Sequence, residues 1–379
     1  MIKVLVVDDS ALMRRQLQQI FTEAGGYEVL TARDGQDTLD KLARFAPDVI
    51  TLDINMPVMD GLTCLSHIMA QYPCPVIMVS SLTDKGALAT FEALELGAFD
   101  YITKPGGTVS LNLKQVAEEL LAKVQAAIKG SRKGSTKSSV VQKLSQRLKK
   151  SSALESGANS TSARLTRPPV RLKTNNPISR STGSIDKLVL IGVSTGGPGT
   201  VERIITSLPA DFSWPILIAQ HMPSRFTAAF AERLDQISLL PVSEVTTPTS
   251  LQGGQVYIAK GDADVKLVKR AGQIKAVPQP MHPEHLWHPS VSLMVASALE
   301  VCAPQQLICV QLTGMGYDGA EEMAQAHRSG ALTIAESEES AVVYGMPKVL
   351  IDLNGATEIL PHTRIAAQLV QWEKQGRGK

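Results

Sequence analysis

Two stretches of this chain alternate short apolar runs with helix-like segments, and this alternation constrains the fold more than any other feature of the sequence. In the first stretch the apolar runs are Lys3–Val7, Asp48–Leu52, Pro75–Val79 and Tyr101–Thr103. Such alternation is typical of βαβ units, in which helices join parallel strands. We therefore predict an α/β domain over residues 1–124.

The same alternation returns after Leu188 and predicts a second α/β domain over residues 186–375. Its candidate strands are "LVLIGV", "PILIAQ", "QVYIA", "LICVQLT" and "ALTIAE", while "KLVKR" and "QIKAV" predict a hairpin. Helices are predicted over Arg225–Gln236 and Ser290–Glu300. A chain of 379 residues is long for one hydrophobic core, so its length also favours two domains.

The stretch between these regions differs from both in composition. Residues 130–184 contain 12 lysines and arginines, one acidic residue, Glu155, and no aromatic residue. Such a segment cannot bury enough apolar surface to offset the entropy lost on ordering. We predict a flexible basic linker over residues 125–185, and contact with nucleic acid or an acidic partner is the alternative interpretation.

Three features of the sequence indicate a cytoplasmic protein. No apolar run approaches the roughly 20 residues that span a bilayer. The first apolar run meets Asp8 and Asp9 too soon for a signal peptide. The cysteines form no CxxC pair, which is typical of reduced proteins. They are Cys64, Cys74, Cys302 and Cys309.

Polar residues follow the predicted strands of the first domain. Asp8 and Asp9 follow the first strand, Asp53 ends the third, Ser80 ends the fourth, and Lys104 ends the fifth. Because the carboxyl ends of parallel strands meet at one edge of a sheet, these side chains are expected to converge. Carboxylate oxygens suit Mg²⁺, and a carboxylate can accept a phosphoryl group. Simple helix capping by each aspartate is the alternative.

The set Asp-Asp, Asp-x-x-x-Pro, Ser and Lys-Pro, in this order, resembles the receiver domain of response regulators over essentially all of residues 1–124. The resemblance implies a flavodoxin-like (βα)5 fold in which Asp53 accepts phosphate from a histidine kinase. The Mg²⁺ ligands that it implies are Asp8, Asp9, Asp53 and the carbonyl of Asn55. The switch residues that it implies are Ser80, Tyr101 and Lys104.

The segment "GVSTGG" follows the first strand of the second domain and sets Ser194 among glycines. Nucleotide binding is the weaker interpretation, because the middle glycine of the dinucleotide fingerprint and the lysine of a P-loop are missing. The segment fits G-x-S-x-G, whose glycines allow a tight strand-to-helix turn and close approach of a substrate. N–H groups at the start of the following helix would favour developing negative charge.

A serine nucleophile needs a base and a group that orients the base. His221 directly follows "PILIAQ", and Asp318 follows "LICVQLT" in the loop "GMGYDG". Ser194, His221 and Asp318 thus fall at three strand ends and predict a catalytic triad. The alternatives are a packing role for His221 and capping of a helix near Ala320 by Asp318. The order Ser, His, Asp speaks against the α/β-hydrolase fold.

The motifs "IGVSTGG", "AQHMP", "YIAKGD", "HPSV", "LTGMGYDGA" and "ESAVVYGMP", in this order, resemble the catalytic domain of the chemotaxis protein-glutamate methylesterase family. The resemblance implies a Rossmann-like, mostly parallel, doubly wound domain that uses this triad and binds the oxyanion with backbone N–H groups, that of Met315 among them. The implied activity, gated by phosphorylation, is hydrolysis of glutamate methyl esters on chemotaxis receptors to carboxylate and methanol. Deamidation of receptor glutamines is also implied, and no cofactor is implied for ester hydrolysis.

Three positions depart from the family's motifs. Lys260 stands where proline is usual, Ala263 where histidine or a similar residue is usual, and His288 where arginine is usual. These residues belong to loops that flank the predicted site. We expect them to affect substrate preference, and the long linker to affect how the receiver controls the hydrolase.

The segment "HPEHLWH" spaces His282, His285 and His288 three apart, as in some metal sites, but Pro283 and Pro289 disfavour the helix that would align them. We therefore expect a loop on the substrate side. Two other function classes compete with the hydrolase: a DNA-binding regulator that uses the linker, and a receptor adaptor with a decayed triad. No helix-turn-helix or basic stripe with interleaved aromatics is evident. We expect a monomer that binds receptors and a histidine kinase, not nucleic acid.

Overall fold

The computed structural model describes residues 1–104, 110–132 and 185–377. The chain divides into two compact units, Met1–Thr166 and Arg167–Lys379. Most of the predicted linker lies outside the described residues. Its first part, residues 125–132, continues a helix of the first unit.

The first unit is built on a five-stranded sheet in which every pair of neighbouring strands is parallel. Its strands are β1 (Ile2–Val7), β2 (Tyr27–Ala32), β3 (Val49–Asp53), β4 (Val76–Ser80) and β5 (Asp100–Thr103). The order β2-β1-β3-β4-β5 is that of flavodoxin-like folds, so the predicted fold is confirmed. The apolar pattern missed β2, because only its last residue is buried.

Five helices connect or follow these strands in the described part of the first unit. They are α1 (Ala11–Ala24), α2 (Gly35–Phe45), α3 (Gly61–Gln71), α4 (Asp84–Leu96) and α5 (Ser110–Arg132). The first four begin at side chains that accept a hydrogen bond from the first turn, which satisfies a free N–H group there. These capping residues are Ser10, Asp34, Asp60 and Thr83.

The second unit contains a seven-stranded sheet in the order β15-β14-β13-β6-β7-β10-β8, again with only parallel pairs. Its strands are β6 (Leu188–Val193), β7 (Ile216–Gln220), β8 (Val242–Val245), β10 (Val256–Ala259), β13 (Leu307–Gln311), β14 (Leu332–Glu336) and β15 (Glu358–Leu360). The prediction of a mostly parallel α/β domain is confirmed, although β8 and β15 were not predicted. Both lie at the edges of the sheet.

A small antiparallel sheet completes the strands of this unit. It contains β9 (Thr249–Ser250), β11 (Asp264–Arg270) and β12 (Gln273–Gln279). The predicted hairpin is confirmed as β11 and β12, which pair through their whole lengths. Its turn residues Ala271 and Gly272 have φ of 49° and 77°, the left-handed conformation of tight two-residue hairpin turns.

The helices of the second unit lie between and after these strands. They are α6 (Gly197–Thr206), α7 (Ser224–Ile237), α8 (Val291–Val301), α9 (Ala320–Arg328), α10 (Met346–Asp352) and α11 (His362–Arg377), with a 3₁₀ turn at Pro304–Gln306. Two of them, α7 and α8, match the predicted helices closely. Within the described residues, none of the helices is both long and apolar enough to cross a membrane.

The strand order of the seven-stranded sheet reverses at β6. The chain passes from β6 to β7 on one side and later returns to β13 on the other side. In open α/β sheets, ligands bind outside the carboxyl ends of the strands at such a reversal. This edge carries Ser194 after β6 and His221 after β7, and the loop that contains Asp318 follows β13.

Candidate active site

The first unit gathers three carboxylates at the carboxyl edge of its sheet. Asp8 and Asp9 follow β1, Asp53 ends β3, and oxygens of all three lie within 4.8 Å of one another. Lys104 follows β5, and its Nζ lies 2.9 Å from Oδ2 of Asp8 and 2.8 Å from Oδ2 of Asp53. The structure thus brings Asp8, Asp9, Asp53 and Lys104 together at this edge.

The electrostatics of this crevice are those of a crowded anionic site. Burial raises the pKa of Asp53 and the charge of Asp8 raises it further, while Lys104 and the N–H of Asn55 oppose the shift without cancelling it. Burial tends to lower the pKa of Lys104, but its hydrogen bonds and ion pairs with Asp53 and Asp8 outweigh this and raise it. A set of hard oxygen donors with excess negative charge fits a divalent cation such as Mg²⁺.

The remaining predicted switch residues are buried. Ser80 is fully buried, and its hydroxyl hydrogen bonds with Thr90 Oγ1 at 2.9 Å and with the carbonyl of Gly86 at 3.2 Å. Tyr101 is 6% exposed on β5, and Nζ of Lys123 lies 5.1 Å from its ring centroid. These contacts tie Ser80 to α4, and they tie Tyr101 to α5.

In the second unit, Ser194 is held at the carboxyl edge by backbone hydrogen bonds from both sides. Its N–H donates to the carbonyl of Thr313, beyond β13, at 2.9 Å. Its own carbonyl accepts a hydrogen bond of 2.9 Å from Nε2 of Gln220, the last residue of β7. The N–H of His221 donates to the carbonyl of Val193, the residue before Ser194, at 3.1 Å. The ends of β6, β7 and β13 are therefore linked around the serine.

His221 and Asp318 form a hydrogen-bonded pair in this crevice. Nε2 of His221 lies 2.8 Å from Oδ2 of Asp318, and the two side chains are 8% and 4% exposed. The residues are 97 positions apart in the sequence, so only the fold brings them together.

Asp318 is anchored at the N-terminus of α8. It accepts hydrogen bonds from the N–H groups of Val291 at 2.7 Å and Ser292 at 2.9 Å, and Oγ of Ser290 lies 3.2 Å away. Burial alone would raise its pKa, but the hydrogen bond and charge of His221 and the N–H groups of Ser292 and Val291 lower the pKa to about 2. Asp318 is therefore a permanent anion at neutral pH.

The capping alternative for Asp318 is wrong. Helix α9 has Gly319 at its N-cap position and no side-chain cap. The carboxylate turns away from α9 towards α8, because two free N–H groups and the imidazole of His221 offer more hydrogen bonds there.

The two imidazole nitrogens of His221 differ in their hydrogen-bond partners. Nδ1 is buried and has no hydrogen-bond partner among the described residues. Because the ionised Asp318 can only accept, Nε2 carries the hydrogen in this pair, and neutral His221 presents a lone pair at Nδ1. Nδ1 is therefore the nitrogen of neutral His221 that can accept a proton.

The glycines around Ser194 lie close to other parts of the protein, whereas the sequence suggested that they leave room for a substrate. Gly196 has φ of 76°, and an added Cβ would lie 2.4 Å from Cβ of Val342. At Gly192 and Gly197, an added Cβ would lie 2.4 Å from Val291 and 2.2 Å from Gln220. These glycines allow close packing of the protein against itself, so close approach of a substrate is not their main role. Only Gly199 faces open space.

The loop that carries Met315 passes beside Ser194. A Cβ added to the preceding Gly314 would lie 2.7 Å from Cβ of Ser194. The N–H of Gly314 is already donated to the carbonyl of Val343 at 3.0 Å. The predicted oxyanion donor, the N–H of Met315, belongs to the residue that follows Gly314 in this loop.

The three histidines of "HPEHLWH" are not grouped with the spacing of metal ligands. Among the residues that the structure describes, the only group with the spacing of metal ligands is Asp8, Asp9 and Asp53. Nδ1 of His288 instead lies 2.9 Å from Oδ1 of the buried Asp264.

The other two positions that depart from the family's motifs lie near one another. Lys260 follows β10, which pairs with β7, so it lies on the same edge as His221. Ala263 is buried, with 8% of its surface exposed.

Sequence reasoning missed two residues at this site. Gln220 supports the backbone of Ser194, and Trp287 stacks on His221 with ring centroids 5.9 Å apart. The sequence feature that could have revealed Gln220 is its place at the end of the apolar run that forms β7. No sequence pattern pointed to the stacking of Trp287, because its loop has no periodicity.

Comparisons with known proteins identify the family of the chain. A family model described as CheB methylesterase matches residues 189–369, and one described as response regulator receiver domain matches residues 4–114. The chain is 50% identical over 372 residues to a Rhodospirillum rubrum protein named protein-glutamate methylesterase/protein-glutamine glutaminase 3, covering 98% of this chain and 96% of that protein. It is 46% identical over 376 residues to a Carboxydothermus hydrogenoformans protein of the same name, numbered 2, covering 98% of each.

A solved structure, that of the Thermotoga maritima CheB methylesterase catalytic domain, is 37% identical and covers 49% of this chain and 98% of its own, with a TM-score of 0.47. The alignments with the two full-length relatives cover both units and the segment between them. The chain therefore belongs to the protein-glutamate methylesterase/protein-glutamine glutaminase family, with a receiver domain ahead of a CheB methylesterase domain.

Proposed function

We propose that this chain is a phosphorylation-activated serine hydrolase that demethylates glutamate methyl esters on chemotaxis receptors and releases methanol. The observation that carries the proposal is the buried His221–Asp318 pair beside Ser194, at the reversal of strand order. In this proposal residues 1–124 are the receiver, residues 125–185 the linker and residues 186–375 the hydrolase. The ranges matched by the two family models lie within the first and last of these.

The first half of the reaction forms an acyl-enzyme. Oγ of Ser194 attacks the ester carbonyl carbon, and Nδ1 of His221 takes the serine proton. Asp318, ionised at neutral pH, holds Nε2 and stabilises the imidazolium that forms. Negative charge on the carbonyl oxygen is stabilised by backbone N–H groups, including that of Met315. The carbon–oxygen bond to the methoxy group breaks, and His221 returns the proton so that methanol leaves.

The second half hydrolyses the acyl-enzyme. Water loses a proton to Nδ1 of His221 and attacks the acyl carbon, and Ser194 leaves with that proton, which frees a glutamate carboxylate. A glutamine side chain gives the same acyl-enzyme with ammonia as leaving group. Deamidation is therefore part of the proposal, and the names of both full-length relatives support it.

The receiver supplies the control. Asp53 accepts a phosphoryl group from a histidine kinase, and Asp8, Asp9, Asp53 and the carbonyl of Asn55 would hold Mg²⁺. A bound Mg²⁺ supplies positive charge that stabilises the transferring phosphoryl group. Lys104, already paired with Asp53, neutralises the phosphorylated side chain. Ser80 and Tyr101 respond to the new charge, and phosphorylation of the receiver activates the hydrolase.

The partners in this proposal are the cytoplasmic helices of chemotaxis receptors and a chemotaxis histidine kinase. The protein works in the cytoplasm as a monomer, and ester hydrolysis needs no cofactor. Lys260, Ala263 and His288, which depart from the family's usual residues, belong to the loops that would meet the receptor.

The test is methanol release from a methylated receptor by the full-length protein after phosphorylation. Ser194→Ala should lower the rate by several orders of magnitude, because it removes the nucleophile. Ser207→Ala, an exposed serine at the end of α6, is the matched control and should keep the wild-type rate. Mass spectrometry of receptor peptides separates loss of methyl from deamidation.

Three results would contradict the proposal. Wild-type release by Ser194→Ala would remove the serine from the chemistry. Absence of release by the wild-type protein on every receptor offered would favour a receptor adaptor. Salt-sensitive DNA binding that survives Ser194→Ala would favour a DNA-binding regulator.

A further inference from the structure

Trp287 makes an ordered aromatic contact with the proposed catalytic base. Its indole lies nearly parallel to the imidazole of His221, with 7° between the planes and 5.9 Å between the centroids. The ring of Tyr317 meets the indole edge-on, at 87° and 5.3 Å. The indole of Trp287 thus lies between the rings of His221 and Tyr317.

One side of the Trp287 indole packs against the backbone at Gly316. Gly316 has φ of 82°, and an added Cβ would lie 2.6 Å from Cη2 and 2.7 Å from Cζ2 of Trp287. The indole therefore lies directly on the loop between β13 and Asp318, in the space that a side chain at position 316 would fill.

The loop that carries Trp287 is pinned on both sides of it by one buried carboxylate. Asp264, at the start of β11, accepts hydrogen bonds from the N–H groups of His282 and Ser290, both at 2.7 Å, and contacts Nδ1 of His288 at 2.9 Å. Asp264 is 1% exposed. Trp287 lies between these anchor points, so its position is set by the fold.

The hydrogen bond to Asp318 alone does not fix the imidazole. It holds Nε2, but the ring can still tilt about its bond to Cβ and swing Nδ1 away from Ser194. A flat indole against the ring face opposes that tilt, because the imidazole edge would strike it. Misplacement of a catalytic group by about 1 Å can cost about 100-fold in rate. The same indole face attracts the imidazolium that forms when His221 takes the serine proton.

We propose that Trp287 is a positioning residue, which holds the plane of His221 so that Nδ1 points at Ser194. This inference rests on the proposed serine hydrolase. It contrasts with a role in receptor contact, which the neighbouring Leu286, 73% exposed, fits better.

The experiment uses a small fluorophosphonate probe with the full-length protein. Oγ of Ser194 bonds to phosphorus, fluoride leaves, and His221 takes the serine proton, so labelling needs the base but no receptor. Trp287→Ala and Trp287→Leu should lower the labelling rate about 10- to 100-fold. Trp287→Phe keeps an aromatic face and should stay within about threefold of wild type. Leu286→Ala, on the same loop, should label at the wild-type rate.

Receptor turnover provides a second readout, and thermal unfolding confirms that each variant is folded. Trp287→Ala should lower kcat more than it raises KM, because the indole acts on the orientation of the base. Labelling of folded Trp287→Ala or Trp287→Leu at the wild-type rate overturns the inference. If Trp287→Ala does not fold, the labelling rates of Trp287→Phe and Trp287→Leu are compared. Equal labelling rates for these two variants overturn the inference.

Failure of the proposed function gives a different pattern. Labelling of Ser194→Ala, no labelling of the wild type, or wild-type labelling of His221→Ala would contradict the serine hydrolase itself. Labelling that depends on Ser194 and His221 but not on Trp287 overturns only the role of Trp287.

Discussion

Each of the two parallel sheets has an aspartate at its carboxyl edge, and the pKa values of these two aspartates are shifted in opposite directions. Asp53 and Asp318 both lie at the carboxyl edge of a parallel sheet, 2% and 4% exposed. The pKa of Asp53 is raised, whereas that of Asp318 is lowered to about 2. Burial acts in the same direction on both, so their partners make the difference.

Those partners differ in charge and number. Asp53 shares its crevice with Asp8, and Lys104 is divided between the two carboxylates. Asp318 instead receives two helix N–H groups and an imidazole hydrogen. The first arrangement favours binding of a cation and acceptance of a phosphoryl group. The second holds a fixed negative charge against a histidine.

The largest expected effect is on phosphorylation. Asp53→Asn should reduce phosphate incorporation from a small phosphodonor with Mg²⁺ to background, because the accepting carboxylate is gone. Asp40→Asn, exposed on α2, is the control and should incorporate phosphate normally. Gel separation of the phosphorylated form measures both. Normal incorporation into Asp53→Asn would move the phosphoacceptor elsewhere and break the comparison.

The next effect concerns the orienting carboxylate. Asp318→Asn should lower kcat for methanol release on the order of 10³–10⁴-fold. An asparagine can donate to Nε2 and so place the imidazole hydrogen on Nδ1, which removes the lone pair needed as base. Asp352→Asn, on the surface of α10, should have no effect. A loss of less than about tenfold at Asp318→Asn would show that His221 does not depend on this carboxylate.

A smaller effect is expected on stability in acid. The pKa of Asp318 is lower in the folded protein than in the unfolded chain, where it is near 4. The ionised carboxylate therefore stabilises the folded state above pH 4, and this stabilisation is lost as the pH falls through about 2. Relative to Asp318→Asn, the wild-type free energy of unfolding should fall on the order of 2 kcal/mol over this window.

Tryptophan fluorescence during urea unfolding can measure this difference. All three tryptophans, Trp214, Trp287 and Trp372, belong to the second unit, so the signal reports that unit. If the free energies of unfolding of the wild type and Asp318→Asn differ by a constant amount from pH 5 to pH 2, Asp318 is not the group with the low pKa.

The smallest expected effect is that of a chelator on basal ester hydrolysis. EDTA should abolish phosphorylation but leave methanol release by the unphosphorylated protein unchanged, because the grouped carboxylates of the described residues are Asp8, Asp9 and Asp53. Re-addition of Mg²⁺ is the control. A fall in basal release would indicate that a metal acts in the second crevice too.

Much of the fold could be predicted from the sequence, because the central strands are uniformly apolar. β1, β6, β7 and β13 all contain the apolar runs that mark strands buried on both faces. The strands that the sequence missed, such as β2 and β8, lie at sheet edges and mix buried with partly exposed residues. A short half-exposed strand has no pattern that separates it from a loop.

The candidate site was predictable to the extent that strand ends mark it. Ser194, His221 and Asp53 each end or directly follow an apolar run, and parallel strands bring such ends together. The flat contact of Trp287 with His221 and the turn of Asp318 towards α8 could not be predicted, because each joins loops far apart in the sequence.

The sequence by itself determined which polar residues follow the central strands at the two crevices, since the order of apolar runs and polar ends is local information. The tertiary structure decided what each residue can do there. It paired Asp318 with a helix N-terminus and Asp53 with another carboxylate, it left Nδ1 of His221 without a partner among the described residues, and it laid Trp287 on the imidazole. A pKa and a ring orientation depend on which groups lie within a few ångströms, and the folded chain alone sets those distances.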